Sequence, residues 1–325
     1  MIQHGDVSQH SNVSLWWRDI LQPRNAFNHG SDAINGFYAA ARSNGDPSVL
    51  NCPQIDAEDD HPILRREVEA AVQSSKKGKS AGVDNIPVEL VQAGGEDVIT
   101  ALTTTCNKIW QTGEWPTPWT QTLFITLLKQ GNLQQCQNYR TIILISHSGK
   151  VMLKITLNRL KPQAKKVIAE EQAGFRAGGS TTEQIFNLRI LCEKYLQHQQ
   201  DLHHVFIDVK KAFDRVWHAA LWATMKKYNI STNLIQVIKN LYYKATSAVL
   251  FNSSIEDWFR TTVGVRQGCL LSLILFNIFL KRIVTDALED HEGTVSIGGR
   301  TITSLRCADD IDDLAGEEEE LANLV

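Results

Sequence analysis

The chain has 325 residues, 43% of them hydrophobic and 21% charged, with a formal net charge of −3, the balance of a globular protein that buries a core in one large domain or two ordinary ones. This charge supplies no bulk attraction to nucleic acid and excludes none, because such binding rests on a local basic surface. The six cysteines (Cys52, Cys106, Cys136, Cys192, Cys269 and Cys307) lie far apart with no CxxC pair, which argues against a disulfide framework or a zinc site and for a reducing compartment.

Residues 1–60 are rich in Asn, Asp, Gly and Ser around an isolated Trp16-Trp17, predicting a weakly structured leader with at most one helix. Its first twenty residues are polar and broken by charge, unlike a signal peptide. From residue 61 the pattern sharpens. Leu64, Val68 and Val72 recur at helical spacing, and "KKGKSAGVDNIP" supplies a basic loop closed by Pro87. Helices are predicted over 88–113, 149–169 and 181–199. Between 150 and 176 stand seven basic residues, Lys150, Lys154, Arg159, Lys161, Lys165, Lys166 and Arg176, against only Glu170 and Glu171. They form either a phosphate-contacting surface or a solvated helix face.

From residue 203 the chain alternates short strands with helices. "HHVFIDV" predicts a strand entered by His203-His204, which has no further ligand at metal spacing. Helices follow in "RVWHAALWATMKKY", with Asp214 as its N-cap, and in "NLIQVIKNLYY". Strand patterns come next in "SAVLF" and "WFRTTV". The run "CLLSLILFNIFL" (269–280) is too short to cross a bilayer and reads as a buried helix. "TVSIGGRTITSL" predicts a hairpin turning at Gly298-Gly299 and leading to Asp309-Asp310, and "GEEEEL" reads as a solvated helix start. The order of elements predicts an α+β fold with a small antiparallel sheet packed on helices.

Three aspartates stand out. In "VFIDV", Val205, Ile207 and Val209 share one face and Phe206 and Asp208 the other, so a strand displays Asp208 where no turn explains it. Asp309-Asp310 sits in an otherwise apolar stretch. A turn accounts for such a pair, and so does divalent metal binding, since hard oxygen ligands on rigid elements suit Mg²⁺. Two such ions ~3.5–4 Å apart activate a hydroxyl and stabilise the leaving oxygen in phosphoryl transfer. Many metal-dependent hydrolases share this requirement.

"FIDVKKAFDRVWH", "GVRQGCLLSLILFN" and "CADD" resemble successive palm motifs of the reverse transcriptases of LINE-type non-LTR retrotransposons. "KSAGVDNIPVEL", "NYRTIILIS" and "EEQAGFRAGGSTTEQI" resemble that family's fingers and connecting motifs. The resemblance runs in order from about residue 60 to the C-terminus. It implies a polymerase right hand: a leader (1–60), fingers and connecting helices (61–200), and a palm (201–325). It also implies RNA-directed DNA polymerase activity with an RNA template, a DNA primer and deoxynucleoside triphosphates as partners, and two Mg²⁺ ions, replaceable by Mn²⁺. Asp208, Asp309 and Asp310 match the metal-binding, catalytic carboxylates, with the Val209 carbonyl as a further ligand. Phe213 falls where an aromatic ring packs under the incoming sugar, Gln267 and Gly268 match the turn near the templating base, and Lys129 and Arg140 would approach the triphosphate. Each also has a structural reading: Phe213 in the core, Gly268 in a helix-start turn, Arg140 in a surface ion pair.

The pattern departs from the family at Cys307, where an aromatic is usual, at Leu128, Thr141 and Leu273, each in place of a proline, and at Gly179, in place of a basic residue. The chain stops fifteen residues after Asp310, before the expected thumb, which predicts a loosely held primer–template and impaired polymerisation. Two rivals remain: a non-catalytic nucleic-acid-binding relic of the same fold, separated by a primer-extension assay, and an unrelated metal-dependent phosphohydrolase, separated by hydrolysis without a template.

Overall fold

A computed structural model describes residues 61–324 apart from 129–137, 169, 177, 210, 252–253, 267, 289–290, 292 and 298. The leader expected over 1–60 lies outside the described residues, as do Lys129 and Gln267. The fold is mixed helix and sheet, and the chain divides into two compact units, one within Gln54–Gln163 and Phe213–Ser272, the other within Ala164–Ala212 and Leu273–Val325.

The first unit begins with helix α1 (Arg65–Gln73), which buries Val68, Ala71 and Val72. The helix predicted over 88–113 is two, α2 (Val88–Ala93) and α3 (Gly95–Thr112), because the chain breaks at Gly94. Helix α3 buries Leu102, Cys106, Ile109 and Trp110 along one face. Helix α4 (His147–Lys165) carries Pro162 within its last turn. Its Arg159 lies over the Trp110 ring at 4.4 Å and bonds both oxygens of Glu67, at 3.0 and 2.8 Å. Burial pushes the Glu67 carboxyl up, but the Arg159 hydrogen bond and charge outweigh it and hold the group below its ordinary range.

Strand β1 (Gln121–Leu128) pairs antiparallel with β2 (Tyr139–Leu144) and parallel with β4 (Thr246–Phe251), which also holds the short strands β5 (Ser254–Ile255) and β6 (Phe259–Arg260). Ile143, Phe124 and Val249 stand abreast across the three long strands and pack with Phe259 as an apolar layer. Strand β1 was not visible as a strand in the sequence pattern. Helices α6 (His218–Lys227) and α7 (Thr232–Lys244) complete this unit, and α7 buries Leu234, Ile235, Val237, Ile238, Leu241 and Tyr242. Asp214 does not cap α6. It lies in a 3₁₀ turn, Ala212–Arg215, and Trp217 occupies the cap without a side-chain bond. The backbone explains this: Phe213 and Val216 carbonyls accept from Val265 and Gly264 N–H groups, which stops the helix from starting earlier.

The second unit holds helix α5 (Thr181–Gln197), capped by the Ser180 hydroxyl accepting from Glu183 N–H at 3.1 Å, and most of α8 (Ser272–Ala287), the buried helix expected after Gly268. Strands β3 (His203–Asp208), β10 (Asp310–Ala315) and β9 (Ser304–Cys307) form an antiparallel sheet with β10 in the middle. Leu191 of α5, Val295, Leu305 and Leu314 form its core. The predicted glycine-turn hairpin is present as β7 (Ser296–Ile297) and β8 (Arg300–Thr301). Its pairing ends with Ile302 N–H on Val295 O, and the chain then enters β9, which leads to the aspartate pair. The acidic tail forms helix α9 (Glu318–Leu324), where Glu320 bonds the backbone N–H and hydroxyl of Thr294. No described helix is long and apolar enough to cross a membrane.

Candidate active site

Strand β3 alternates half-buried and exposed residues from His203 to Asp208, as its sequence alternation requires. Asp208 is exposed and Phe206, on the same face, is 69% exposed. Strand β10 runs antiparallel beside it with Asp310 directly opposite Asp208, and Cys307 of β9 faces Asp310 from the other side. Directly opposed residues of an antiparallel pair share a face, so Asp208, Asp310 and Cys307 form one row across three strands. Burial, and then the charges of Asp310 and Asp309, push the Cys307 thiol upward.

Asp309 occupies the turn itself. Strands β9 and β10 are joined by Ala308 and Asp309, and Ala308 has φ +62°. Asp309 thus lies in the turn, and Asp310 opens a strand against Asp208. Like charges placed directly opposite in a sheet destabilise it, and solvent exposure of both carboxylates limits that cost. Among the described residues no three His, Cys, Asp or Glu side chains stand together as a metal-holding cluster. The donor set still fits a hard cation of the Mg²⁺ kind, which takes one or two carboxylates and fills its shell with water and substrate phosphate.

One residue that sequence reasoning passed over contacts this turn. Gln172 is 3% exposed, and its side-chain oxygen accepts from Ala308 N–H at 3.0 Å and Gly174 N–H at 2.8 Å. Its Nε2 donates to Ala308 O at 3.1 Å. The backbone around it lies along the open edge of β9, where Arg306 N–H bonds Glu171 O and Ala173 N–H bonds Arg306 O, at 3.0 and 2.8 Å. Nothing in "EEQAGF" marks this glutamine as buried, and its partner is 136 positions away.

Behind the carboxylate row, Asp312 and Asp313 are buried. Burial raises the Asp312 carboxyl, opposed by His204, whose Nδ1 lies 3.3 Å away. Burial also raises Asp313, to about 6, with Arg306 opposing and Asp312 reinforcing the shift.

The remaining expected site residues fall in several places. Val209 follows β3 directly. Phe213 lies in the 3₁₀ turn of the first unit, its carbonyl bonded by Val265 N–H at 2.8 Å. Gly268 has φ +77° beside a Cys269 N–H to Arg266 O bond of 2.9 Å, a backbone conformation that wants glycine. Arg140 belongs to β2, opposite Leu127. The basic stretch is divided. Arg159 is 9% exposed and taken by Glu67, Lys154 reaches Ser74 O at 3.3 Å, and burial lowers Lys150. Lys161, Lys165 and Lys166 are exposed, and Arg176 is half-buried.

The mixed helix-and-sheet fold is similar to that of a solved telomerase. Apo telomerase from Candida tropicalis, truncated from its C-terminal domain, matches with a TM-score of 0.51 over 63% of this chain and 45% of that one, at 16% identity, which shows a likeness of fold alone. The sequence is more specific. Residues 127–325 match the reverse transcriptase (RNA-dependent DNA polymerase) family, and the chain belongs to that family, among the reverse transcriptases of non-LTR retrotransposons. It is 26% identical over 79% of its length to the transposon TX1 uncharacterized 149 kDa protein of Xenopus laevis, and 28% identical over 67% to the probable RNA-directed DNA polymerase from transposon BS of Drosophila melanogaster. The RNA-directed DNA polymerase from mobile element jockey of Drosophila funebris is 27% identical over 67%. These matches span only 20%, 24% and 24% of the relatives' own lengths.

Proposed function

We propose that this chain is the fingers and palm of an RNA-directed DNA polymerase, with fingers and connecting helices over 61–200 and the palm over 201–325. It would extend a DNA primer on an RNA template by nucleotidyl transfer from deoxynucleoside triphosphates. The observation that carries this reading is the row on the small sheet: Asp208 and Asp310 face one another, and Asp309 stands in the adjoining turn. Strands rather than loops fix two of the three carboxylates, which suits chemistry that tolerates little misplacement.

Asp208, Asp309 and Asp310, with the Val209 carbonyl, would hold two Mg²⁺ ions, or Mn²⁺ in their place. Bound there, the ions would lower the pKa of the primer 3′-OH and neutralise charge on the transferring phosphate. The chain's own carboxylates keep the facing negative charge that makes the site selective for hard cations. Phe213 would bear on the sugar of the nucleotide, Gln267 and Gly268 on the templating base, and Lys129 and Arg140 on the triphosphate. Exposed Lys161, Lys165 and Lys166 are the part of the basic stretch free to meet phosphate, whereas Arg159 is left out because its charge is spent on Glu67.

Primer extension on poly(rA)–oligo(dT) with Mg²⁺ or Mn²⁺ tests the proposal. Weak, metal-dependent extension abolished by Asp309→Asn is the expected result. Nucleic-acid binding without extension under either metal would instead leave a non-catalytic binding relic, and phosphoester hydrolysis without a template would replace the polymerase reading altogether.

A further inference from the structure

A two-residue hairpin turn with a positive φ at its first central position favours glycine, asparagine or aspartate. At that place this chain carries Ala308, with φ +62°. A residue with a Cβ is strained there, so the turn sequence by itself does not specify the turn. Something outside it must.

The surroundings supply that restraint, all within the second unit. Gln172 brackets Ala308 on both sides, accepting from its N–H and donating to its carbonyl. The same side-chain oxygen accepts from Gly174 N–H, so one face of the amide meets two donors and the other an acceptor. Its orientation is thereby fixed by its partners. The bracket is itself anchored. Gln184 of α5 donates to Glu171 O at 2.8 Å, and Asn277 of α8 donates to Gly174 O at 2.9 Å. Gly174 presses directly on the turn: a Cβ there would lie 2.0 Å from Ala308 N. Two helices thus hold a short segment of chain, and that segment holds a turn whose own residues would leave it. The next residue along is Asp309.

We propose that Gln172 is a positioning residue for Asp309: its carboxamide holds Ala308 in the left-handed conformation and so sets the direction in which the turn presents the Asp309 carboxylate. This rests on the polymerase reading for the use of Asp309, but the restraint on the turn is a property of the fold whether or not that reading holds. An ordinary buried glutamine would stabilise the sheet as a whole. A positioning glutamine acts on the turn and on what the turn carries.

The test uses the full chain with Gln172→Met and the shape-conserving Gln172→Glu, each alone and combined with Ala308→Gly. Two readouts are taken: amide hydrogen exchange at Ala308, compared with Ile311 and Leu314 of β10, and affinity for Mn²⁺ alone. Gln172→Met, which removes the oxygen that accepts from Ala308 N–H, should speed exchange there by about tenfold, the scale of one net hydrogen bond, while Ile311 and Leu314 keep their protection; Gln172→Glu keeps that acceptor and should speed exchange less. Mn²⁺ affinity should fall by a similar factor, about tenfold. Ala308→Gly should restore most of that affinity, because glycine takes a positive φ without strain. Exchange that rises together across Ala308, Ile311 and Leu314 would make Gln172 a plain core residue and overturn the proposal. So would unchanged Mn²⁺ affinity, or a loss that Ala308→Gly does not repair. If the unsubstituted chain binds no Mn²⁺ sensitive to Asp309→Asn, the polymerase reading fails, and the restraint on the turn is decided by exchange at Ala308 alone.

Discussion

Asp313 should make this protein less stable as pH rises through the mildly acidic range. It lies on β10 opposite Val205 and Ser304 and is 9% exposed. Burial lifts its carboxyl from 3.8 to about 6 against the pull of Arg306. An acid whose folded pKa exceeds its unfolded one keeps its proton longer in the folded state, so stability is full below about pH 4 and is lost as pH rises to about 6. At about 1.36 kcal/mol per unit, the shift corresponds to at most about 3 kcal/mol, and solvent screening reduces this to ~1–2 kcal/mol. Asp313→Asn removes the ionisation and keeps the shape. Thermal unfolding of parent and variant at about pH 4.5 and about pH 7.5 should show the variant gaining on the parent by ~1–2 kcal/mol, or a few degrees, at the higher pH. A gap between the two proteins that is the same at both pH values would refute the reasoning.

Four further outcomes are expected. Asp208→Asn should raise the metal-free melting temperature by the equivalent of ~0.2–1 kcal/mol, because it removes one of two facing like charges; the gain should vanish in saturating Mg²⁺, which stabilises only the parent, and identical thermal shifts with and without Mg²⁺ would contradict this. Arg159→Met should cost ~3–5 kcal/mol in unfolding experiments by stranding Glu67 and leave nucleic-acid affinity unchanged. Replacing Lys161, Lys165 and Lys166 together with alanine should leave stability alone, weaken binding, and reduce the salt slope by about 0.7–0.9 for each phosphate no longer neutralised, as read by fluorescence anisotropy across a salt series. Phe213→Ala should raise ribonucleotide relative to deoxynucleotide incorporation in primer extension; equal loss of both together with a lower melting temperature would place Phe213 in the core instead.

Much of the local framework was legible in the residues. The alternation of "VFIDV" predicted a strand that displays Asp208, and β3 does so with the expected period of two. The apolar run after Gly268 became α8, and the glycine pair before "RTITSL" became the β7–β8 hairpin. These features are written within a few neighbouring positions, because they depend on which face of an element meets the core and on which residues accept a turn's dihedrals.

Tertiary structure decided what distant backbone and side chains do to one another. The β1–β4 parallel pair joins segments far apart in the chain, and no periodicity in either names its partner. Arg159 looked like its basic neighbours until the fold brought Glu67 and Trp110 beside it. Asp214 had the residue type of a helix cap, but pairing of the Phe213–Val216 stretch with Gly264 and Val265 moved the helix start past it. Sequence determined that Asp309-Asp310 would lie at a turn or a metal site. Only the fold put Asp309 in the turn and Asp310 on the strand, because register across β3 and β10 decides which carboxylate faces Asp208, and the turn meets a hydrogen-bonded glutamine 136 positions away.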